Sequence, residues 1–217
     1  MRPELEALPA RMRDLPVDRR DYPVPWFVAW VDAEPEFRAM DGEKWLRAVR
    51  ENLCWVCGKR VGAFRTFVIG PMCGINRTTG EPPCHLECAR WSARNCPFLS
   101  RPHMVRREDG LPEESETAGI AIKRNPGVTL LWTTRSYRVF NDGAGKPLIQ
   151  IGEPESVEWW AQGRAATREE VEHSVDTGLP IIADIARLDG PEAMAELSRR
   201  AEGIKALYPA VAAASNG

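Results

Sequence analysis

The sequence predicts an α+β protein in which a cysteine-rich module is joined to a small antiparallel sheet covered by C-terminal helices. Three observations carry this prediction. All six cysteines lie between residues 54 and 96. Short segments rich in β-branched and aromatic residues follow over 128–151, and an Asn-Asp-Gly turn separates the last two of them. Apolar residues at helical spacing then dominate residues 167–207.

Length and composition place the chain among ordinary globular proteins. It has 217 residues, of which 43% are hydrophobic and 28% charged, and this suits one large domain or two small ones. No apolar run is long enough for a transmembrane helix, so we expect no membrane partner. The first residues lack the apolar region of an export signal. We therefore expect a cytoplasmic protein with reduced thiols.

The N-terminal segments predict a strand pair and a helix. Residues 1–20 are charged and contain three prolines, which predicts a flexible lead-in. Apolar residues then occupy both alternating sets over 26–31, so this expected strand should be covered on both faces. A turn over Asp32–Pro35 leads to a partner strand near Phe37. The helix that follows should have one buried face, formed by Trp45, Leu46 and Val49.

The cysteine-rich module contains two pairs of residues of the kinds that bind metals. Cys54 and Cys57 have two residues between them, and Gly58 supplies the φ freedom that a tight turn requires. After a further 27 residues, His85 and Cys88 form a second pair on one face of a helix. Such pairs of soft ligands suit a tetrahedral Zn²⁺ site. We predict that Zn²⁺ is the cofactor and that its ligands are Cys54, Cys57, His85 and Cys88.

The other cysteines leave the ligand set open. Either Cys84 or its neighbour His85 would serve, because adjacent helical side chains point about 100° apart. Cys73 is another replacement for His85. Cys96, just before a proline, suits a small buried residue, although it stays a candidate ligand.

Two other kinds of chemistry compete with a metal. An even number of cysteines would allow a disulfide framework, which the missing export signal disfavours. A redox pair at Cys54 and Cys57 should open a helix, whereas Gly58 favours a turn. Three thiolates and one imidazole fill a tetrahedral site, which indicates a structural rather than a catalytic metal.

Over residues 54–96, the Cys-x-x-Cys turn, the intervening hairpin and the helix with His-x-x-Cys in its first turn resemble the treble-clef zinc fingers. The resemblance implies a bound metal and no particular function, since treble clefs serve many. The whole chain is also similar to a group of bacterial and prophage-type proteins. The segments that carry this similarity include Tyr-Pro-Val-Pro-Trp-Phe-Val and Cys-Pro-Phe-Leu, and they lie within residues 22–30, 67–73, 81–99 and 163–180. This second resemblance implies a cytoplasmic zinc protein and nothing finer.

The chain divides into a zinc-binding domain over 21–107, a linker or loop over 108–125, a β-hairpin and helix domain over 126–208 and a frayed tail over 209–217. Within the first domain we expect a strand over 64–69, a long polar loop over 74–83 and a helix over 85–95.

In the second domain, three strands over 128–151 should form one antiparallel sheet. A helix over 154–162 would end at Gly163. A capping box at Thr167 should open a helix that stops near Gly178, with Pro180 restarting the chain. A last helix begins after Gly190, with an apolar stripe formed by Met194, Leu197, Ala201, Ile204 and Leu207.

Charge is distributed unevenly between these parts. Residues 44–107 hold 12 Lys/Arg against 3 Glu, whereas the remaining residues hold 17 Lys/Arg against 28 Asp/Glu. A basic metal module suggests an anionic partner, and nucleic acid is the first candidate. The phosphate-contacting residues would be Arg77, Arg90, Arg94, Arg101, Arg106 and Arg107. The alternative is that the basic and acidic parts attract each other and dock.

No hydrolase, P-loop, dinucleotide or zinc-protease motif occurs, so a binding module is expected rather than an enzyme. Two alternatives stand beside a nucleic-acid-binding module. One is a phage-encoded adaptor that contacts a host protein. The other is a metal-dependent nuclease of the HNH type, for which Asn95 and His103 would be the available catalytic side chains. The sequence makes no prediction of oligomeric state.

Overall fold

A computed structural model describes residues 4–101 and 125–211. The predicted α+β class is confirmed, since small antiparallel sheets are combined with helices. The predicted linker over 108–125 and the tail over 209–217 lie largely outside the described residues. Among the residues that are described, no helix is both long and apolar enough to cross a membrane.

The chain begins with a short 3-10 turn, Ala10–Met12, and an antiparallel hairpin of β1 (Val28–Val31) and β2 (Glu34–Met40). The prediction that this first strand is covered on both faces is wrong. Within the described structure β1 pairs only with β2, and Trp30 is 46% exposed. The alternation of apolar residues predicted the strand but could not reveal that part of it is exposed in the described structure.

Helix α1 (Gly42–Glu51) starts where the Asp41 side chain accepts a hydrogen bond from the Lys44 amide. Trp45 and Ala48 are buried on its inner face. Leu46, predicted to be buried with Trp45 and Val49, is exposed, and Val49 is half-buried. The error is one of helix phase, because Leu46 follows Trp45 directly and therefore points about 100° away from it.

The central sheet has the order β3-β5-β8-β9, with neighbouring strands antiparallel. Its strands are β3 (Arg65–Ile69), β5 (Thr129–Thr134), β8 (Pro154–Ala161) and β9 (Arg164–Ala165). Every residue of β5 is buried, because β5 lies between two strands and under the helices. The sheet thus joins β3 from the first predicted domain to three strands from the second. Whether those domains fold separately stays a prediction.

A second sheet has the order β4-β7-β6 and consists of β4 (Thr78–Thr79), β6 (Tyr137–Asn141) and β7 (Pro147–Ile151). The expectation of one sheet over 128–151 is therefore wrong. The chain turns sharply after β5, where the Thr134 hydroxyl donates to the Ser136 carbonyl. β6 therefore does not join the central sheet, and it pairs with β7 instead. The turn between β6 and β7 is as predicted, with Asp142 accepting the Lys146 amide.

The predicted helix over 154–162 is wrong, since these residues form β8. Gln162 and Gly163 both have positive φ, as the two central residues of a tight hairpin turn do. Gly163 therefore turns the chain from β8 into β9 and does not end a helix. Trp159 and Trp160 at the end of β8 are aromatic residues of the kind that strands favour.

The predicted polar loop over 74–83 is also partly structured. Helix α2 (Pro71–Asn76) starts with a proline and is followed by β4. Gly74 allows α2 to approach the core closely, since a Cβ atom there would lie 2.6 Å from the Leu130 side chain. The helices α3 (Leu86–Asn95) and α4 (Pro97–Ser100) follow, close to the predicted helix over 85–95.

The C-terminal layer is a pair of helices, α5 (Arg168–Asp189) and α6 (Pro191–Ile204), followed by a 3-10 turn, Lys205–Leu207. The capping box at Thr167 is confirmed in both its hydrogen bonds. The predicted break near Gly178 is wrong, because α5 continues through Pro180. Val175 and Ile182 are buried on either side of this proline, so core packing outweighs the lost backbone hydrogen bond.

One hydrophobic cluster extends from the N-terminal segment to α6. Phe67, Leu130 and Trp132 are almost fully buried at its centre. Residues 4–20 also contribute, although we expected a flexible lead-in there: Met12 is buried, and the Trp91 indole donates to the Glu6 carbonyl. Three of the four predicted metal ligands, all except His85, belong to this hydrophobic cluster.

Candidate metal centre

The first ligand pair lies on a tight turn. The Gly58 amide donates to the Cys54 carbonyl over 2.8 Å, and the Cys54 amide donates to the Lys59 carbonyl over 2.8 Å. Gly58 has a φ of +70°, as the sequence suggested. The turn also directs the Cys57 amide at the Cys54 sulfur, 3.4 Å away. Its backbone therefore holds the two thiols side by side.

The second pair lies at the start of α3. His85 is the N-cap of this helix, and Cys88 is in its first turn. The preceding residue, Cys84, exchanges two backbone hydrogen bonds with Thr66 in β3, which anchors the helix start to the central sheet. The His85 amide then donates to the Cys54 sulfur over 3.4 Å, so the backbone of the second pair contacts the first.

The structure brings all four predicted ligands together. The three sulfurs and one imidazole nitrogen lie within 4.8 Å of one another. His85 Nδ1 lies 3.5 Å from Cys57 Sγ and 3.9 Å from Cys88 Sγ. The ligands of a tetrahedral zinc ion, with Zn–S of about 2.3 Å and Zn–N of about 2.0–2.1 Å, stand about 3.5–3.8 Å apart. The cluster therefore fits a metal ion of this size.

The orientation of His85 is set by a second contact. Its Nε2 lies 3.0 Å from the Arg60 carbonyl oxygen. A carbonyl only accepts, so Nε2 carries a proton, and in the neutral ring that a metal requires Nδ1 keeps a lone pair directed at the three sulfurs. Backbone carbonyls give no signal in a sequence, and this contact was not predicted.

The protonation states of the four residues depend on the hydrogen bonds between their closely spaced sulfur and nitrogen atoms. Burial opposes ionisation of Cys54, but hydrogen bonds to its sulfur from Cys57, Cys84, Cys88 and His85 bring its pKa far below the ordinary thiol value. Hydrogen bonds to Cys54 and Cys57 raise the pKa of His85 to about 10. The same two sulfurs raise the pKa of Cys88 well above its ordinary value. Without a metal, Cys54 is thus the thiolate and His85 carries a positive charge.

The other three cysteines are not members of this four-residue cluster, although Cys84 contacts Cys54. Cys84 donates its thiol to the Thr66 carbonyl over 3.2 Å. Burial raises the pKa of Cys73 to about 11 and also raises that of Cys96. All six cysteines are free of disulfide bonds, so the structure contains none of the disulfides of the competing interpretation.

Three of the predicted phosphate-contacting arginines form ion pairs within the described structure. Arg90 makes a two-pronged ion pair with Glu158, at 2.5–3.1 Å. Arg94 pairs with Glu6 and lies over the Trp160 ring. Arg77 pairs with Glu153 and lies over the Trp132 ring. Arg101 is exposed, whereas Arg106 and Arg107 lie outside the described residues. All three carboxylates come from outside the basic segment 44–107.

Of the two nuclease candidates, Asn95 is described, and it does not belong to the metal cluster. The Asn95 side chain accepts the Glu6 amide and donates to the Trp91 carbonyl, at the end of α3 opposite to Cys88. His103 lies outside the described residues.

Comparison with protein-family models, with curated proteins and with solved structures finds no match to this chain. The functional argument therefore rests on the cysteine–histidine cluster and its surroundings.

Proposed function

We propose that the chain is a zinc-stabilised, non-enzymatic binding module. The observation that supports this proposal is the Cys₃His cluster, in which the protein supplies one more ligand than the three that catalytic zinc sites typically use. Thiolate sulfur and imidazole nitrogen are ligands that favour zinc over magnesium or calcium. No coordination position would then remain for a substrate or a reactive water.

The ion would join two elements that are far apart along the chain. Cys54 and Cys57 belong to the turn after α1, and Cys88 belongs to α3, which packs on β3 and β5. Binding energies of structural zinc sites are about 10 kcal/mol or more, which exceeds the net stability of many domains. The turn, the short strand pairing at residue 84 and the helix that follows also support our proposal of a treble-clef arrangement.

Metal analysis tests this proposal. Purified protein should contain one zinc ion per chain. Cys57→Ser and His85→Ala should lose it, and Cys73→Ser is the matched control because Cys73 lies outside the cluster. Protein with negligible zinc, or Cys73→Ser losing the metal while His85→Ala keeps it, would overturn the ligand assignment.

The class of partner is a separate proposal. The ion pairs of Arg77, Arg90 and Arg94 favour docking of the basic segment onto the acidic remainder over an exposed phosphate-binding surface. A protein partner is supported by the β1–β2 hairpin, where Trp30 and Val31 are exposed. Nucleic acid stays the second candidate, through Arg101 and neighbouring basic residues.

A gel-shift titration at low salt separates the two candidates. Nucleic-acid binding should weaken steeply as salt increases, and Arg101→Ala should reduce it. Absence of any DNA or RNA retardation would remove nucleic acid as the partner. Plasmid left intact with Mg²⁺ or Mn²⁺ would likewise remove the nuclease alternative.

A further inference from the structure

A cavity of about 180 Å³ adjoins the metal centre. Its walls come from the N-terminal segment, through Arg11 and Leu15, and from the hairpin region, through Trp26 and Trp30. Cys57 is the one member of the Cys₃His cluster that lines it. The volume exceeds that of several water molecules, so a small organic molecule can enter.

Cys57 differs from the other two cysteines of the cluster in its exposure. Cys54 and Cys88 are both 0% exposed, whereas Cys57 is 7% exposed. An incoming reagent therefore meets Cys57 and not the two buried sulfurs.

The sulfurs also differ in their hydrogen bonds. Cys54 Sγ accepts two backbone N–H groups, from Cys57 and His85, each over 3.4 Å. Among the described hydrogen bonds, no backbone N–H reaches Cys57 Sγ. Hydrogen bonds to a thiolate stabilise its charge and lower its tendency to donate electrons. Of the thiolates that a bound metal would maintain, Cys57 is thus the most exposed, and it is less stabilised by backbone N–H groups than Cys54.

We propose that Cys57 is an alkylation site for small, uncharged carbon electrophiles that enter this cavity. The inference rests on the proposed zinc site, because the metal keeps Cys57 as a thiolate. A sulfur lone pair forms an S–C bond, the bond from that carbon to its leaving group breaks, and the leaving group departs with the electron pair. No proton is released, because the bound thiolate carries none. The neutral thioether is a weaker ligand than the thiolate, so alkylation loosens the metal.

The alkylated turn would also affect the hairpin. The Trp26 amide donates to the Val56 carbonyl over 2.7 Å, and the Trp26 ring rests on Gly58. Trp26 itself lines the cavity, beside Cys57. Modification at Cys57 therefore disturbs the contacts that hold Trp26 in place, and with it the segment that contains the exposed Trp30.

The test uses full-length, zinc-loaded protein and a substoichiometric amount of iodoacetamide, with peptide mapping by mass spectrometry and zinc analysis of the same sample. Cys57 should be alkylated about tenfold or more faster than the other cysteines, because the thiolate and not the thiol is the nucleophile. Cys73 and Cys96, whose raised pKa values keep them as thiols, should react slowly. Zinc should be released in step with Cys57 modification.

Two variants keep the result interpretable without removing a ligand. The double variant Cys73→Ser/Cys96→Ser should retain the fast phase. Leu15→Phe, which adds volume to the cavity wall, should slow the fast phase while the zinc content stays the same. Even labelling of all cysteines, or fastest labelling of Cys73 or Cys96 in zinc-containing protein, would overturn this inference alone. A protein without zinc would overturn the metal proposal and this one with it.

Discussion

Gly58 lies against the indole of Trp26, and a Cβ atom on Gly58 would come within 2.7 Å of two atoms of that ring. The metal-site turn and the hairpin are therefore in contact at a position where only hydrogen fits. The same glycine has a φ of +70°, which side chains with a Cβ rarely adopt. Two independent requirements, one from the backbone and one from packing, thus fall on a single residue.

Gly58→Ala should destabilise the protein and weaken metal binding. The left-handed backbone costs about 1–2 kcal/mol and the overpacking about 1–3 kcal/mol. Chemical denaturation of the zinc-loaded protein measures the decrease in the free energy of unfolding that these two costs produce together. Gly62→Ala is the matched control, because Gly62 is exposed and has open space around its Cα. Equal stability of the two variants would show that neither the left-handed backbone nor the Trp26 contact contributes.

Much of the metal site could be predicted from the sequence because it depends on local geometry. Two residues between ligands are enough to place Cys54 and Cys57 on one turn and His85 and Cys88 together at a helix start, whatever the rest of the fold does. The choice of His85 over Cys84 was less certain. It depends on the backbone pairing of Cys84 with Thr66, which begins the helix one residue later and directs the Cys84 thiol at the sheet.

The parts that the sequence did not predict depend on contacts between distant segments. The sequence of residues 154–161 is compatible with a helix or a strand. These residues form a strand because they pair with β5. Likewise, nothing near Thr134 signals that β6 leaves the central sheet to join β4 and β7. The ion pair of Arg90 with Glu158 spans 68 residues, so the basic segment looked free in the sequence.

Removal of the metal should affect the central sheet as well as the finger. β3 carries Thr66, which anchors Cys84 next to the site, and β3 pairs with β5 along five residues. A chelator should therefore increase amide hydrogen exchange in both β3 and β5, while α6 should change less. Exchange confined to residues 54–62 would contradict this coupling. Re-addition of zinc should restore protection and serves as the control for irreversible damage.

Metal binding should release protons and strengthen as pH rises. In the metal-free protein the pKa of His85 is raised to about 10 and that of Cys88 is also raised, so both groups are protonated near neutral pH. Zinc requires both in the deprotonated form, so the metal-free state binds more protons and gains population as pH falls. Each displaced proton should change the apparent affinity about tenfold per pH unit.

Competition with a chelator between pH 6 and pH 8 would measure this slope, and calorimetry in two buffers of different ionisation enthalpy would count the protons. Affinity that does not vary with pH would mean that neither group carries a proton before zinc binds.

A pair of glycines tests how the helices pack on the sheet. Gly74 in α2 faces the core: an added Cβ atom would lie 2.6 Å from the Leu130 side chain and 3.2 Å from that of Ile204. Gly203 in α6 is exposed and has open space. Gly74→Ala should therefore destabilise the protein by about 1–3 kcal/mol. Gly203→Ala should stabilise it by about 0.5–1 kcal/mol, because alanine loses less backbone entropy in a helix.

Thermal unfolding of both variants in the zinc-loaded state separates packing from helix propensity, since each variant makes the same chemical change within a helix. Opposite signs are expected. If Gly74→Ala also raised the melting temperature, α2 would not contact Leu130 closely, and the replacement of the predicted loop by a core-packed helix would be refuted. Zinc content should be unchanged in both variants, because neither glycine belongs to the Cys₃His cluster.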